Sequence, residues 1–174
     1  MIVCGIDAST RSTGWSIFDD KKLIDYGIIK PEGDGWREHI INQAPELLKI
    51  FNQYCPDKIY MEDVPLKQGN LLTLVQLGAV QGFFYGLVAS FNIPVEFLNP
   101  SQWRGPIGLF DGTRAGTKRA EMKRKSVEKA NELFGLDLIW KSPCSIKNED
   151  DISDAILIAY SQIKVKHIGK PNSR

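Results

Sequence analysis

The first thirty residues carry their apolar side chains in three short blocks separated by polar turns. Residues 1–7 form a nearly continuous apolar run ending at Asp7, the pattern of a buried strand. Residues 13–18, Thr-Gly-Trp-Ser-Ile-Phe, form a second block. Asp19-Asp20-Lys21-Lys22 is a hairpin turn, and residues 23–29 form a third strand. Such spacing predicts an antiparallel meander. The loop Pro31-Glu32-Gly33-Asp34-Gly35 follows, then a helix over about 36–51 with a kink at Pro45.

Residues 58–62 make a fourth, short apolar strand, which a helical connection lays parallel to an earlier one. A long apolar helix spans about 71–91, and residues 94–98 make a fifth strand. Pro100-Ser101-Gln102-Trp103-Arg104 opens a short helix. Residues 105–116 form a Gly-rich loop holding Asp111 and Arg114. Thr117 is placed to cap a basic helix that stops near Gly135. A loop over 141–148 leads into a last helix over about 150–165. The expected architecture is one α/β domain over 1–168. Its five-stranded mixed sheet has three antiparallel and two parallel strands, flanked by helices. Residues 169–174 are expected to form a disordered tail.

At 174 residues the chain is the size of one domain. A net charge of +1 provides no global attraction to nucleic acid, so any such affinity has to come from local clusters. Cys4, Cys55 and Cys144 are odd in number and far apart, as in a reduced, cytoplasmic protein that buries them as small apolar residues. With only His39 and His167, a zinc site of His and Cys is disfavoured. The N-terminus lacks the basic flank and long apolar run of a signal peptide. Residues 68–95 carry no charge, and Gly78, Gly82 and Gly86 recur every fourth position, a pattern also found in packed membrane helices. Asn70, Thr73, Gln76, Gln81, Ser90 and Asn92 dilute the run, which reads as the buried helix of a soluble protein.

Four acids stand out against this frame. Asp7 ends the first strand and Glu62 the fourth, while Asp151 and Asp154 share one face of the last helix. Singly, each has an ordinary explanation as a turn former, a helix-start acid or a loop residue. Jointly they do not. If the first and fourth strands are parallel neighbours, Asp7 and Glu62 end side by side, about 4.8 Å apart. Clustered carboxylates repel by about 1–4 kcal/mol per pair at close range, and a cation relieves that repulsion. Oxygen ligands without His or Cys favour magnesium, or manganese in its place, over zinc. Two such ions suit phosphoryl transfer without a protein nucleophile, which agrees with the lack of a Ser/His/Asp or Cys/His set.

Gly5-Ile6-Asp7-Ala8-Ser9-Thr10-Arg11-Ser12-Thr13-Gly14 resembles the opening strand and turn of the RuvC family of Holliday junction resolvases. Met61-Glu62-Asp63-Val64 resembles the second acidic segment of that family, and Asp151-Ile152-Ser153-Asp154-Ala155-Ile156-Leu157-Ile158-Ala159 resembles its final helix. The three segments stand in the family's order and bracket about nine-tenths of the chain. The resemblance implies an RNase H-like fold, a homodimer and magnesium-dependent nicking of branched DNA. It makes Asp7, Glu62, Asp151 and Asp154 the metal ligands and catalytic residues, with an exchange of Asp151 for Asp150 left open. No small-molecule cofactor and no membrane are implied. The family places an aromatic wedge shortly after its second acid, where this chain has Pro65 and Leu66.

Lys118, Arg119, Lys123, Arg124 and Lys125 lie on the basic helix with Ala120, Val127, Ala130 and Phe134 directed to the core. They are candidates, with Arg11 and less strongly Arg114, for sequence-independent phosphate contacts; a solvated charged face is the plainer alternative. Gly78, Gly82, Phe83 and Gly86 are candidates for a dimer interface on the long apolar helix, against packing on the chain's own sheet. Three other activities compete. Gly5–Thr13 also resembles a phosphate loop of actin-like ATP phosphotransferases, which need two lobes and more chain than this. A non-cleaving junction-binding module and a nuclease for RNA–DNA hybrids complete the alternatives.

Overall fold

The computed structural model describes residues 1–64, 70–110 and 118–165. The meander is β1 (Ile2–Ala8), β2 (Thr13–Asp19) and β3 (Lys22–Ile29), paired antiparallel in sequence. Two helices, α1 (Trp36–Asn42) and α2 (Ala44–Tyr54), lead to β4 (Lys58–Glu62). The chain continues through α3 (Leu71–Ala89), β5 (Val95–Leu98), α4 (Pro100–Arg104), α5 (Arg119–Phe134) and α6 (Asp150–Val165). Sheet order is β3-β2-β1-β4-β5, with β4 parallel to both β1 and β5. This is the mixed five-stranded sheet that the pattern predicts. The expectations at 65–66, 111–117 and 169–174 lie outside the described residues.

Alternation along the strands divides the core into two layers. Cys4, Ile6, Ile17, Ile59 and Met61 face α1–α3 and pack with Leu47, Phe51 and Phe84. Val3, Phe18, Tyr60 and Leu98 face α4–α6 and pack with Trp103, Val127, Ile156 and Ala159. The parity matters for the site. Residues 3, 5 and 7 of β1 and residues 60 and 62 of β4 project toward the α6 side.

Helix α6 lies close against the sheet because two glycines leave room for it. A Cβ on Gly5 would stand 2.1 Å from the Ala155 carbonyl oxygen, and one on Gly14 would stand 1.9 Å from that of Asp151. Ser16 Oγ, between them on the same strand face as Gly14, donates to the Ala155 carbonyl at 2.9 Å. The glycines of the G-I-D and T-G segments are thus contact points for the helix carrying the other two acids.

Three expectations need correction. The helix over 36–51 is not kinked at Pro45 but broken at Gln43, and Pro45 instead opens α2. Fully buried Gln43 accepts from Thr13 Oγ1 and donates to the Ser9 carbonyl at 3.1 Å, tying the break to the β1–β2 turn. Of the cysteines only Cys4 is buried, and burial pushes its thiol up to about 12; Cys55 and Cys144 are exposed. Most consequentially, α3 is not a buried helix. It is apolar all round and long enough to cross a membrane, yet in this chain only Val80, Phe84 and Val88 of the helix are buried. Leu71, Leu72, Val75 and Tyr85 are more than half exposed, and Cβ atoms on Gly78, Gly82 and Gly86 would meet open space.

Candidate active site

The parallel register of β1 and β4 ends at the pair Ile6 and Met61, so Asp7 and Glu62 are the next residues on adjacent strand ends. Both point to the α6 layer by parity. Asp154 is buried on the first turns of α6, one position before the Ala155 carbonyl that overlies Gly5. Asp151 sits one turn earlier, its carbonyl over Gly14, which pairs with Asp7 in the β1–β2 register. Three elements distant in sequence thus deliver four carboxylates to one end of the sheet.

Their electrostatics record the crowding. Asp7 is held well above the usual carboxylate range, first by loss of hydration and then by the charges of Asp154, Asp151 and Glu62; Lys123 opposes. Burial pushes Glu62 up to about 7, with Arg104 the largest opposing influence and Asp154 adding to the rise. Asp154 is raised as well, chiefly by burial, against Arg104, a hydrogen bond from Ser126 and Lys123. A group of acids that share one another's field in partial burial is the arrangement that a cation relieves.

Basic and hydroxyl groups contact the acids individually. Arg104 Nη2 lies 3.6 Å from Glu62 Oε2. Ser12 Oγ donates to Asp151, and Ser126 Oγ donates to Asp154. Lys123 Nζ is paired with Asp150 and lies 3.5 Å from Asp151 Oδ1. Among the described residues, no three acidic, His or Cys side chains close on a common point as they stand. The donor set is nonetheless all hard oxygen at adjoining positions, and its mutual repulsion matches a doubly charged cation rather than another neutral or basic group.

Asp150 and Asp151 separate by environment. Asp150 is buried against Lys123, whereas Asp151 contributes to the field at Asp7.

The basic candidates divide three ways. Arg11 and Arg119, both exposed, share a cleft of about 710 Å³ with Lys123 and Asp151. Lys123 turns inward to the acids, and Arg124 is bound to Glu121 and Glu128 of its own helix. Lys118 is exposed at the start of α5, and Lys125 is half-buried. Gly78, Gly82, Phe83 and Gly86 lie on α3, whose buried residues pack in the core layer on the other face of the sheet. The sequence reading missed Arg104, Ser12 and Ser126. A basic residue closing a short capped helix straight after β5 was the available signal for Arg104; the two serines offered none.

No family model matches the chain. It is 25% identical over 170 residues to the crossover junction endodeoxyribonuclease RuvC of Oleidesulfovibrio alaskensis, covering 95% of this chain and 92% of that protein. Identity to the RuvC of Rickettsia conorii is 24% over 174 residues, covering 96% and 99%. The solved structure of Thermus thermophilus RuvC in complex with a Holliday junction substrate matches with a TM-score of 0.72 at 16% identity, covering 97% and 96%. Fowlpox virus resolvase in complex with Holliday junction DNA matches at 0.58 with 17% identity, covering 95% and 99%. Over about 95% of its length the chain is similar in sequence to RuvC crossover junction endodeoxyribonucleases, and its fold is that of the solved Holliday junction resolvases.

Proposed function

We propose that this protein is a divalent-metal-dependent endonuclease that nicks branched DNA such as Holliday junctions. The observation that carries the reading is the meeting of Asp7, Glu62, Asp151 and Asp154 at one end of the sheet, where each of the first two feels the charge of Asp154. Those four side chains would hold magnesium, or manganese in its place, and two ions suit the number of carboxylates. When bound, such ions supply positive charge to a phosphodiester and lower the pKa of water. Arg104, now paired to Glu62, stays beside the site as a fixed positive charge for the phosphate. Ser12 and Ser126 orient Asp151 and Asp154 through their hydrogen bonds. Arg11 and Arg119, at the cleft, supply contacts that position the backbone without reading its sequence.

A homodimer belongs to the same reading. The uncovered apolar surface of α3, with open space over Gly78, Gly82 and Gly86 beside Phe83, is what two copies would bury. A dimer presents two sites to two strands of the branch. The cytoplasm is the compartment that fits a DNA substrate and free thiols.

The test is a substrate panel of four-way, three-way, forked and linear DNA, plus an RNA–DNA hybrid, with and without magnesium. Wild type is expected to nick the branched substrates only with metal. Asp7→Asn is expected to lose nicking by at least about a thousandfold while retaining junction binding. Full nicking by Asp7→Asn would remove the mechanism, and preference for the hybrid would move the substrate class.

A further inference from the structure

The wall of the cleft opposite the β1–β2 turn is the loop between α5 and α6, and nothing in the proposed chemistry uses it. Its sequence is Lys141-Ser142-Pro143-Cys144-Ser145-Ile146-Lys147-Asn148. Ile146 is 90% exposed, the most exposed large apolar side chain among the described residues. A solitary exposed aliphatic group is ordinary on a surface. This one is held out by a braced scaffold.

Lys141 N donates to Asn148 Oδ1 at 2.9 Å, and Asn148 Nδ2 donates to the Ser142 carbonyl at 2.7 Å. Inside that clamp, Ser145 N and Asn148 N donate to the Ser142 and Ser145 carbonyls. At its base, Glu149 N donates to the Ile139 carbonyl at 2.9 Å, and Ile139 N donates to Glu149 Oε2 at 2.8 Å. The tip is therefore set in place before any partner arrives, and it stands five residues ahead of Asp151 on a continuous path into α6. Lys141 and Lys147 flank it, both exposed. Across the cleft stand Arg11 and Lys30, with Arg119 beside them.

An apolar tip between cations, rigidly joined to a carboxylate helix, matches a nucleic acid whose bases are open. Phosphates meet the lysines and arginines, while an aliphatic side chain packs on, or between, bases that have lost a stacking neighbour. Paired linear duplex hides its base faces and offers the tip nothing. We propose that the 141–148 loop is a branch-sensing element, with Ile146 packed against unstacked bases at the branch point and Lys141 and Lys147 on the adjoining phosphates. The inference rests on the DNA reading of the neighbouring site and gives that site its preference for branched substrate.

The experiment uses the full chain in calcium, without cleavage, on a four-way junction carrying 2-aminopurine beside the branch and on a linear duplex of the same sequence. Wild type is expected to raise the fluorescence of the junction. Ile146→Ser is expected to lose most of that rise and about tenfold in junction affinity, the size set by re-exposing one aliphatic side chain, with duplex affinity unchanged. Ile146→Leu is expected to keep both. Ile146→Ser that matches wild type in fluorescence and junction affinity overturns the proposal, as does a wild type that fails to distinguish junction from duplex. An unchanged melting temperature shows that the exposed position tolerates serine. Because no readout depends on cleavage, a wild type that passes here yet never nicks in magnesium refutes the nuclease reading alone.

Discussion

At the scale of single residues, the site is a problem of unrelieved charge. Glu62 in the folded protein holds its proton up to about 7, against an ordinary value of 4.5 in the unfolded chain, and Asp7 and Asp154 are raised in the same direction. The folded state thus binds more protons than the unfolded state between those limits. Stability of the metal-free protein is therefore expected to be greatest below about pH 4.5 as far as Glu62 is concerned, to fall as pH rises through about 7, and to level off above. Glu62→Gln should flatten that slope in thermal melts across the window. Magnesium binds the deprotonated acids, so its gain in melting temperature should be larger at pH 8 than at pH 6. An equal gain at both values would argue against these acids as the ligands. Asp7 and Glu62 were legible as a pair because strand ends, parity and parallel pairing are local rules. Arg104 and Ser126 were not, since their approach to the acids depends on how α4 and α5 dock.

At the scale of elements, the decisive contact is α6 on the meander. Its apolar face, Ile152, Ala155, Ile156 and Ala159, was readable from helical spacing, as was the shared face of Asp151 and Asp154. Its closeness to β1 and β2 depends on Gly5 and Gly14, where backbone meets backbone. Gly14→Ala is expected to destabilise the protein by about 3 kcal/mol in urea unfolding, since the added carbon would overlap the Asp151 carbonyl and neither chain can yield alone. A change below about 0.5 kcal/mol would show that α6 sits farther out. The break between α1 and α2 was misread as a proline kink. Its cause is a distant partner, the β1–β2 turn, which captures the Gln43 side chain.

At the scale of the whole molecule, the sheet leaves α3 half-dressed, with an apolar surface that a monomer in water does not favour. Gly82→Arg, placed in open space, is expected to leave the protomer fold intact and to halve the mass measured by light scattering. A wild type already of protomer mass, or a variant still paired, would count against the dimer. The chain's pattern alone settles the strand count and the two-layer alternation. Those features follow from periodicity and from the side on which each residue projects. The expectation of a buried α3 failed for a related reason: composition reports that a surface is apolar but not which chain covers it. Close packing alone settles which cations neutralise the acids, where the helix breaks and how near α6 lies. Each of these depends on distances between residues far apart along the chain, and no local pattern encodes such distances.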